Sequence, residues 1–406
     1  MAAILGTAIL LCSVPLSILY GGIVIIKTPE KWRTVFPLLV ISVFTIAYNY
    51  NPINEPDLVR YFAAIEKAGT MLLVDYFSYT GSGLYIQDFA FWLAGTLGLP
   101  HLVPGISTAI VYGIAIYISC DYAERTEQQE LLSLVLLYQV CCLPFISICN
   151  NVRNICTFAI ILLAVYRDIV QKKHNVWTAA LYIIPVFMHK SGFVLLLVRV
   201  ILALSGKFFV ATAIFTFLIP TILNVLINYR MRIMRFGIIG RIVANTIYTA
   251  YNSLTSTSDW ANTVMTSKYH LTNRYMAFAI CLFLLFQVLV RHPDVRKNTF
   301  TMYVVFLCIL TIACYVFRTP VYWRFFAAVN ISVGVILLPC FKSFIEDKKI
   351  GGIIEILVFA GFAAALLLLQ LYGSRSEVNW RELISDTLIH PFIVVLMKMF
   401  SVIMTI

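Results

Sequence analysis

Two short polar stretches interrupt an otherwise apolar chain. Asn151-Val152-Arg153-Asn154 opens an apolar helix, and Met188-His189-Lys190-Ser191-Gly192 sits inside an apolar run. Ionisable side chains at membrane depth are costly and face a cavity, a partner or a site rather than lipid. A guanidinium presents a planar fork suited to phosphate or carboxylate. An imidazole titrates near neutrality, so His189 could act as a general base or donate a hydrogen bond to a phosphate. A half-helix starting near Ser191 would aim its positive N-terminal end at an anion. The plainer alternatives are a snorkelling Arg153 and a histidine satisfied within the fold.

Three further stretches carry candidate chemistry. In NYNPINEPDLVRYFAAIEKAG, residues Asp57, Arg60 and Tyr61 fall on one helical face at i, i+3 and i+4. Asp57 reads either as an N-terminal cap or as a carboxylate that accepts a proton or orients a hydroxyl. Glu55 and Glu66 read as solvated. In TIACYVFRTPVYWRFFAAVN, Arg318 and Arg324 flank Pro320, with Tyr315, Tyr322 and Trp323 nearby. Arginine beside aromatics suits phosphates and sugar faces, and it also matches the interfacial belt of any membrane protein. The stretch GSRSEVNWREL, with Arg375, Trp380, Arg381 and Glu382, is equally two-sided. Asn150, Asn151 and Asn154 supply amides of the kind that hold sugars.

These residues must be positioned by membrane helices. The 406 residues are 61% hydrophobic and 12% charged, with mean hydropathy +0.90. Long unbroken apolar runs, rather than alternation, predict an all-α polytopic membrane protein and exclude a membrane barrel. The expectation is about 11–14 transmembrane or half-membrane helices in a single domain over 1–406. The net charge of +11 fits orientation signals and anionic headgroups. No basic soluble segment with interleaved aromatics supports nucleic-acid binding. The ten cysteines lie in apolar stretches without a Cys-x-x-Cys pair and read as small buried hydrophobes. There is no Walker loop, dinucleotide glycine pattern, His-Glu-x-x-His or Gly-x-Ser-x-Gly elbow. No paired Asp cluster points to a divalent metal, so no cofactor and no metal are expected. Energy would come from an activated substrate or an ion gradient.

Apolar runs near 4–26, 34–48, 105–120, 131–149, 152–171, 208–228, 270–290, 299–317, 322–341, 351–372 and 386–403 are candidate spans. The N-terminal run has no basic leader region and reads as a first span rather than a cleaved signal. Lys27, Lys31 and Arg33 place the loop after it in the cytoplasm by the positive-inside rule. Residues 49–104 then form a first outer loop, in which 85–98 reads as re-entrant or interfacial. Residues 229–268 form a long outer loop that opens as a basic amphipathic stretch and continues polar. The run 176–206 would be one span or two half-helices. One span moves both the 291–297 and the 342–349 basic clusters to the outside, against the rule. Two half-helices with His189 at the outward tip put both in the cytoplasm, and that reading is preferred.

This threading concentrates lysines inside and arginines outside: Arg60, Arg153, Arg230, Arg232, Arg235, Arg241, Arg274, Arg318, Arg324, Arg375 and Arg381. An Arg-rich outer face is what a binder of lipid-linked pyrophosphate would need, although some of these are solvated loop charges.

The ordered set of Asp57-x-x-Arg60-Tyr61-Phe62, then Val152-Arg153-Asn154 leading a helix, then His189-x-Ser191, then Arg324-Phe325-Phe326 resembles the EpsG-like group of Wzy-type polysaccharide polymerases over roughly residues 40–340. The resemblance implies a glycosyltransferase of the bacterial cytoplasmic (inner) membrane, multi-pass, with its active site facing the periplasm or exterior. A GT-C-like architecture is compatible with it. Its substrates would be undecaprenyl-pyrophosphate-linked oligosaccharide repeat units of O-antigen, capsule or exopolysaccharide biosynthesis. It would transfer the growing glycan onto the next unit, release undecaprenyl pyrophosphate and need no metal. Its partners would be the lipid-linked oligosaccharide, membrane lipids, and a chain-length regulator and flippase of the same pathway. Under this reading Asp57, His189 and Arg153 are the catalytic candidates. Arg60, Tyr61, Asn154, Lys190, Ser191, Arg241, Arg318 and Arg324 are the substrate-binding candidates. The rival readings are a repeat-unit flippase or transporter, a membrane acyltransferase with His189 as base, and a ligase moving the same glycan to another acceptor.

Overall fold

The computed structural model describes residues 2–53, 57–205, 208–237, 240–241, 243–245, 247–248, 251, 268–317, 319, 321–346, 350–389 and 391–403. These are helical almost throughout. The described residues hold one isolated antiparallel bridge, between Pro52 and Val378, and no strand. In chain order the helices are α1 (Ala2–Cys12), α2 (Val14–Lys27), α3 (Trp32–Tyr48), α4 (Asp57–Gly69), α5 (Leu73–Thr80), α6 (Tyr85–Thr96), α7 (Leu102–Arg125), α8 (Leu132–Cys142), α9 (Phe145–Asn150), α10 (Asn154–Ile169), α11 (Val176–Met188) and α12 (Gly192–Ser205). There follow α13 (Phe209–Phe217), α14 (Ile219–Asn228), α15 (Arg230–Met234), α16 (Lys268–Phe286), α17 (Thr299–Val316), α18 (Tyr322–Ser332), α19 (Gly334–Glu346), α20 (Ile350–Ser374), α21 (Trp380–Ile389) and α22 (Phe392–Ile403).

Among the described residues, five helices are long and apolar enough to cross a membrane: Pro29–Tyr48, Leu102–Arg125, Lys268–Arg291, Thr299–Val316 and Gly352–Ser374. Counting each bent pair as one span raises this to eight. The protein therefore has the helices of a polytopic membrane protein. Several expected spans are not straight rods. The run 4–26 breaks at Ser13, whose extended backbone and side-chain cap start α2, with Pro15 in its first turn. The run 131–149 breaks at Pro144, which lacks the N–H that would continue α8. The run 208–228 bends by 58° ahead of Pro220. The run 322–341 bends by 55° between α18 and α19, where Gly334 lets the backbone close on Ser119 with no room for a Cβ.

The run 176–206 is a hairpin turning at His189. Its arms, α11 and α12, both reach Asp168 at the end of α10, through Tyr182 (2.9 Å) and Arg199 (2.6 Å). Gly192 packs on Thr157 and Ile161, so a side chain there would push α12 off α10.

The helices define two ends. Arg33 pairs with Glu124, Asn298 donates to Tyr122 and Gln171 donates to Asp121. These contacts gather the start of α3, the ends of α7 and α10 and the start of α17 at the end that the charge rule assigns to the cytoplasm. The opposite end gathers α4, α6, α9, the His189 tip, the start of α18 and the loop after α20. A core through α7, α10, α17 and α18 joins the two, with Phe158 stacked on Phe325 at 5.5 Å.

Candidate functional site

Arg153 is placed by a chain of local breaks. Pro144 ends α8, α9 makes a short turn of helix, and Asn151–Arg153 turns into α10. The first outer loop folds over the guanidinium. Arg153 Nε donates to Tyr61 Oη at 3.0 Å, and Nη1 donates to Gln87 Oε1 at 3.0 Å. The Tyr61 ring lies 4.7 Å beneath it, a cation–π arrangement. Tyr61 and Gln87 are brought together by α4 and α6, which approach so closely at Gly69 and Gly95 that neither could carry a Cβ.

Arg324, on the first turn of α18, sits within electrostatic reach of Tyr61, Asp57 and Arg153. Its Nε is buried and has no hydrogen-bond partner among the described residues. The register of α18 is set deep in the core. Gln139 accepts from Ser119 at 2.9 Å and donates to the carbonyls of Asn330 and Ile331, each at 3.1 Å. Such satisfied buried networks fix one packing arrangement. Phe158–Phe325 stacking ties α18 to α10, so the helices that carry Arg324 and Arg153 are locked to each other.

His189, at the tip of the α11–α12 hairpin, is the third member, facing Arg324, Arg153 and Lys190. Its Nδ1 lies 2.5 Å from Ser191 Oγ and accepts from the Ser191 backbone N–H at 3.2 Å. With Nδ1 accepting, the proton of the neutral ring belongs on Nε2. His189 is therefore arranged to donate from Nε2. Neither Arg153 nor Arg324 forms an ion pair among the described residues. Asn154 is buried beside Arg153, with its Oδ1 unpartnered among the described residues.

Asp57 links this cationic cluster to a polar cavity of about 380 Å³. Asp57, Arg60, Asn150, Asn151, Asn273 and Glu377 supply polar groups to its wall. Asp57 pairs with Arg60, which is 75% exposed. Glu377 is the carboxylate that sequence reasoning missed. Its Oε2 accepts from Asn150 Nδ2 at 2.6 Å. Its carbonyl accepts from Tyr50 Oη at 3.1 Å and from Ile53 N–H at 3.0 Å. Tyr50 Oη in turn sits 3.1 Å from Asn150 Oδ1. The loop is thus held at both backbone and side chain. Burial raises the Glu377 carboxyl above the ordinary range; the Asn150 amide opposes this and the Asp57 charge adds to it. No cation pairs with Glu377 among the described residues.

The structure thus brings Asp57, Tyr61, Arg153, Asn154, His189, Lys190, Ser191 and Arg324 to one end, with Arg60 on the rim. Arg241 is exposed and does not line the cavity. Arg318, Glu55 and all of 252–267 lie outside the described residues. Gln87, Asn273 and Glu377 carried no spacing signal. Glu377 stood in a loop whose Arg and Trp residues drew the attention.

No family model matches the chain, and neither curated proteins nor solved structures match it.

Proposed function

We propose that the protein is a membrane glycosyltransferase of the polymerase type. It joins polyprenyl-pyrophosphate-linked oligosaccharide units at the Arg153 end and releases polyprenyl pyrophosphate. One observation carries the reading: two arginines and a proton-donating histidine converge at half-buried positions with no carboxylate paired to either guanidinium among the described residues. Preorganised cations of this kind stabilise charge that develops on a leaving group. The diphosphate of the donor lies against Arg153, Arg324 and His189 Nε2–H. The acceptor hydroxyl lies in the polar cavity, held by Asn150 and Asn151.

The hydroxyl oxygen forms the new bond to the anomeric carbon as the bond from that carbon to the diphosphate oxygen breaks. Glu377 takes the hydroxyl proton, since a carboxylate raised by burial is a better base than a solvated one. Asp57 orients the sugar or serves as the second acceptor. His189 acts on the diphosphate as a donor, because its Nδ1 already accepts from Ser191. The pyrophosphate leaves with the electron pair, neutralised by the guanidinium pair. The bacterial cytoplasmic membrane and an outward-facing site follow from the charge rule together with this substrate.

Purified protein supplied with lipid-linked repeat units and no nucleotide tests the proposal. A ladder of longer lipid-linked glycans is the expected result. Movement of substrate across vesicles without new bonds would identify a flippase instead. Transfer of a single glycan to another acceptor would identify a ligase.

A further inference from the structure

A second cavity adjoins the polar one. It is an apolar groove of about 740 Å³ between α2, α3, α7, α8 and α20. Pro144, Ser147, Tyr269, Gln370 and Glu377 line both cavities. Polar groups are concentrated at this shared mouth. Away from it the wall is mainly aliphatic: Ile18, Ile26, Leu39, Leu137, Val140 and Leu371. Several of these are unpartnered on the groove side, with Leu137 at 62% and Ile26 at 67% exposure. The groove follows α8 from Val140 back to Ser133, about 10 Å at 1.5 Å per residue, and so runs from the polar cavity toward the other end of the bundle. Two glycines shape it. At Gly373 a Cβ would collide with the Tyr269 ring, so this glycine lets Tyr269 stand at the junction. At Gly22 a Cβ would meet nothing within 4 Å, so the groove is open there.

A lipid-facing helix surface needs no concavity, and a free-standing ligand pocket needs no connection to a charged cavity. A concave aliphatic channel whose one polar end opens into a carboxylate- and amide-lined chamber fits an amphiphile with a large polar head and a long hydrocarbon tail. We infer that this groove holds the polyisoprenoid tail of the lipid-linked acceptor, whose polar end reaches into the polar cavity. The inference rests on the proposed polymerase reading and assigns the lipid chain to α2, α8 and α20.

The experiment places a benzophenone amino acid at Leu137 in the full-length protein in nanodiscs. The probe is a radiolabelled C55 polyprenyl diphosphate, which carries no sugar. Saturable labelling at Leu137 is expected, competed at least tenfold by excess unlabelled polyprenyl diphosphate. A benzophenone at Leu368, which is 66% exposed and lies outside this groove, should label only at background. Gly22→Trp fills the open space without a backbone clash and should reduce the Leu137 signal at least tenfold while the protein still inserts. Equal labelling at Leu137 and Leu368 would overturn the inference. So would a signal unmoved by Gly22→Trp, or one matched by a labelled phospholipid. Saturable labelling by a protein that makes no polymer would keep the groove and remove the polymerase. Polymer formation without saturable labelling would do the reverse.

Discussion

The two ends of the bundle treat charge in opposite ways. At the end carrying Lys27 and Lys31, cations meet anions. Asp168 receives Arg199 at 2.6 Å and His174 at 3.0 Å. Asp121 receives Arg125 at 2.6 Å and Tyr166 at 2.7 Å. Arg33 meets Glu124 and Arg291 meets Glu355. At the other end Arg153 and Arg324 meet aromatics and amides, and Glu377 meets an amide. The first pattern spends its charges inside the protein and holds helix ends together. The second leaves cations on one side and a carboxylate on the other, facing space. Burying a charge without a counter-ion is unfavourable, and under the proposed function the ligand brings the missing charge.

The sharpest way to break this contrast is at Arg324. Arg324→Ala, and Arg153→Ala beside it, should reduce polymer formation by about 10²–10³-fold, as loss of one preorganised donor does. Thermal unfolding of Arg324→Ala should stay near wild type, because that guanidinium is in no ion pair among the described residues, whereas Arg153→Ala also loses its hydrogen bonds to Tyr61 and Gln87. In vitro chain extension and a melting curve on the same preparation check both halves. A loss of activity that merely follows a loss of folded protein would make the two ends alike.

Glu377 tests the anionic side. Glu377→Gln keeps the shape and an acceptor for Asn150, and should lower turnover by about 10²–10⁴-fold, the span of general-base catalysis. A protonated carboxyl cannot accept the hydroxyl proton. Because burial raises the Glu377 carboxyl, wild-type rate should fall as pH drops through a value above the ordinary glutamate range, and be complete above it. The residual rate of Glu377→Gln should be flat across that window. An unchanged acid limb in the variant would pass the base role to Asp57.

Asp168 sharpens the contrast from the closed end. Asp168→Asn should lower stability by about 1–3 kcal/mol. That is less than a fully buried pair costs, because the side chains of Asp168 and Arg199 keep 17% and 23% exposure. Turnover per folded molecule should not change. A thermal shift without a change in specific activity is the expected signature, and a selective loss of activity would place function at both ends.

Much of this contrast was legible in the sequence, for identifiable reasons. Arg153, His189 and Arg324 stood out because ionisable residues in apolar runs violate the composition around them. The hairpin at His189 followed from counting charges on loops, which needs no contact information. The broken spans were less legible, because apolar content sets length whereas Ser13, Pro144 and Gly334 set direction. Gln87, Asn150 and Glu377 act through contacts with residues far away in the chain. Glu377 meets Tyr50 and Asn150 across 327 and 227 positions, and no local pattern announces such a meeting. The core pin at Gln139 was hidden for the same reason, since a lone Gln in an apolar helix states no partner.

The smallest expected effect is at Arg60. The sequence placed Arg60 among the substrate-binding candidates, but its side chain is 75% exposed and paired with Asp57 one turn away. Exposed pairs of this kind contribute about 0.2–1 kcal/mol and are screened by salt. Arg60→Ala should therefore change polymer formation by no more than about fivefold, by the usual conversion of roughly 1.4 kcal/mol per factor of ten. The effect should shrink further in high salt, whereas the Arg324→Ala loss should not, because a half-buried guanidinium is poorly screened. Side-by-side extension assays at low and high ionic strength separate the two arginines. A salt-insensitive loss at Arg60 as large as that at Arg324 would extend the unpaired cationic cluster out to the rim, and the diphosphate would then sit nearer solvent than the Arg153–Arg324 pair implies.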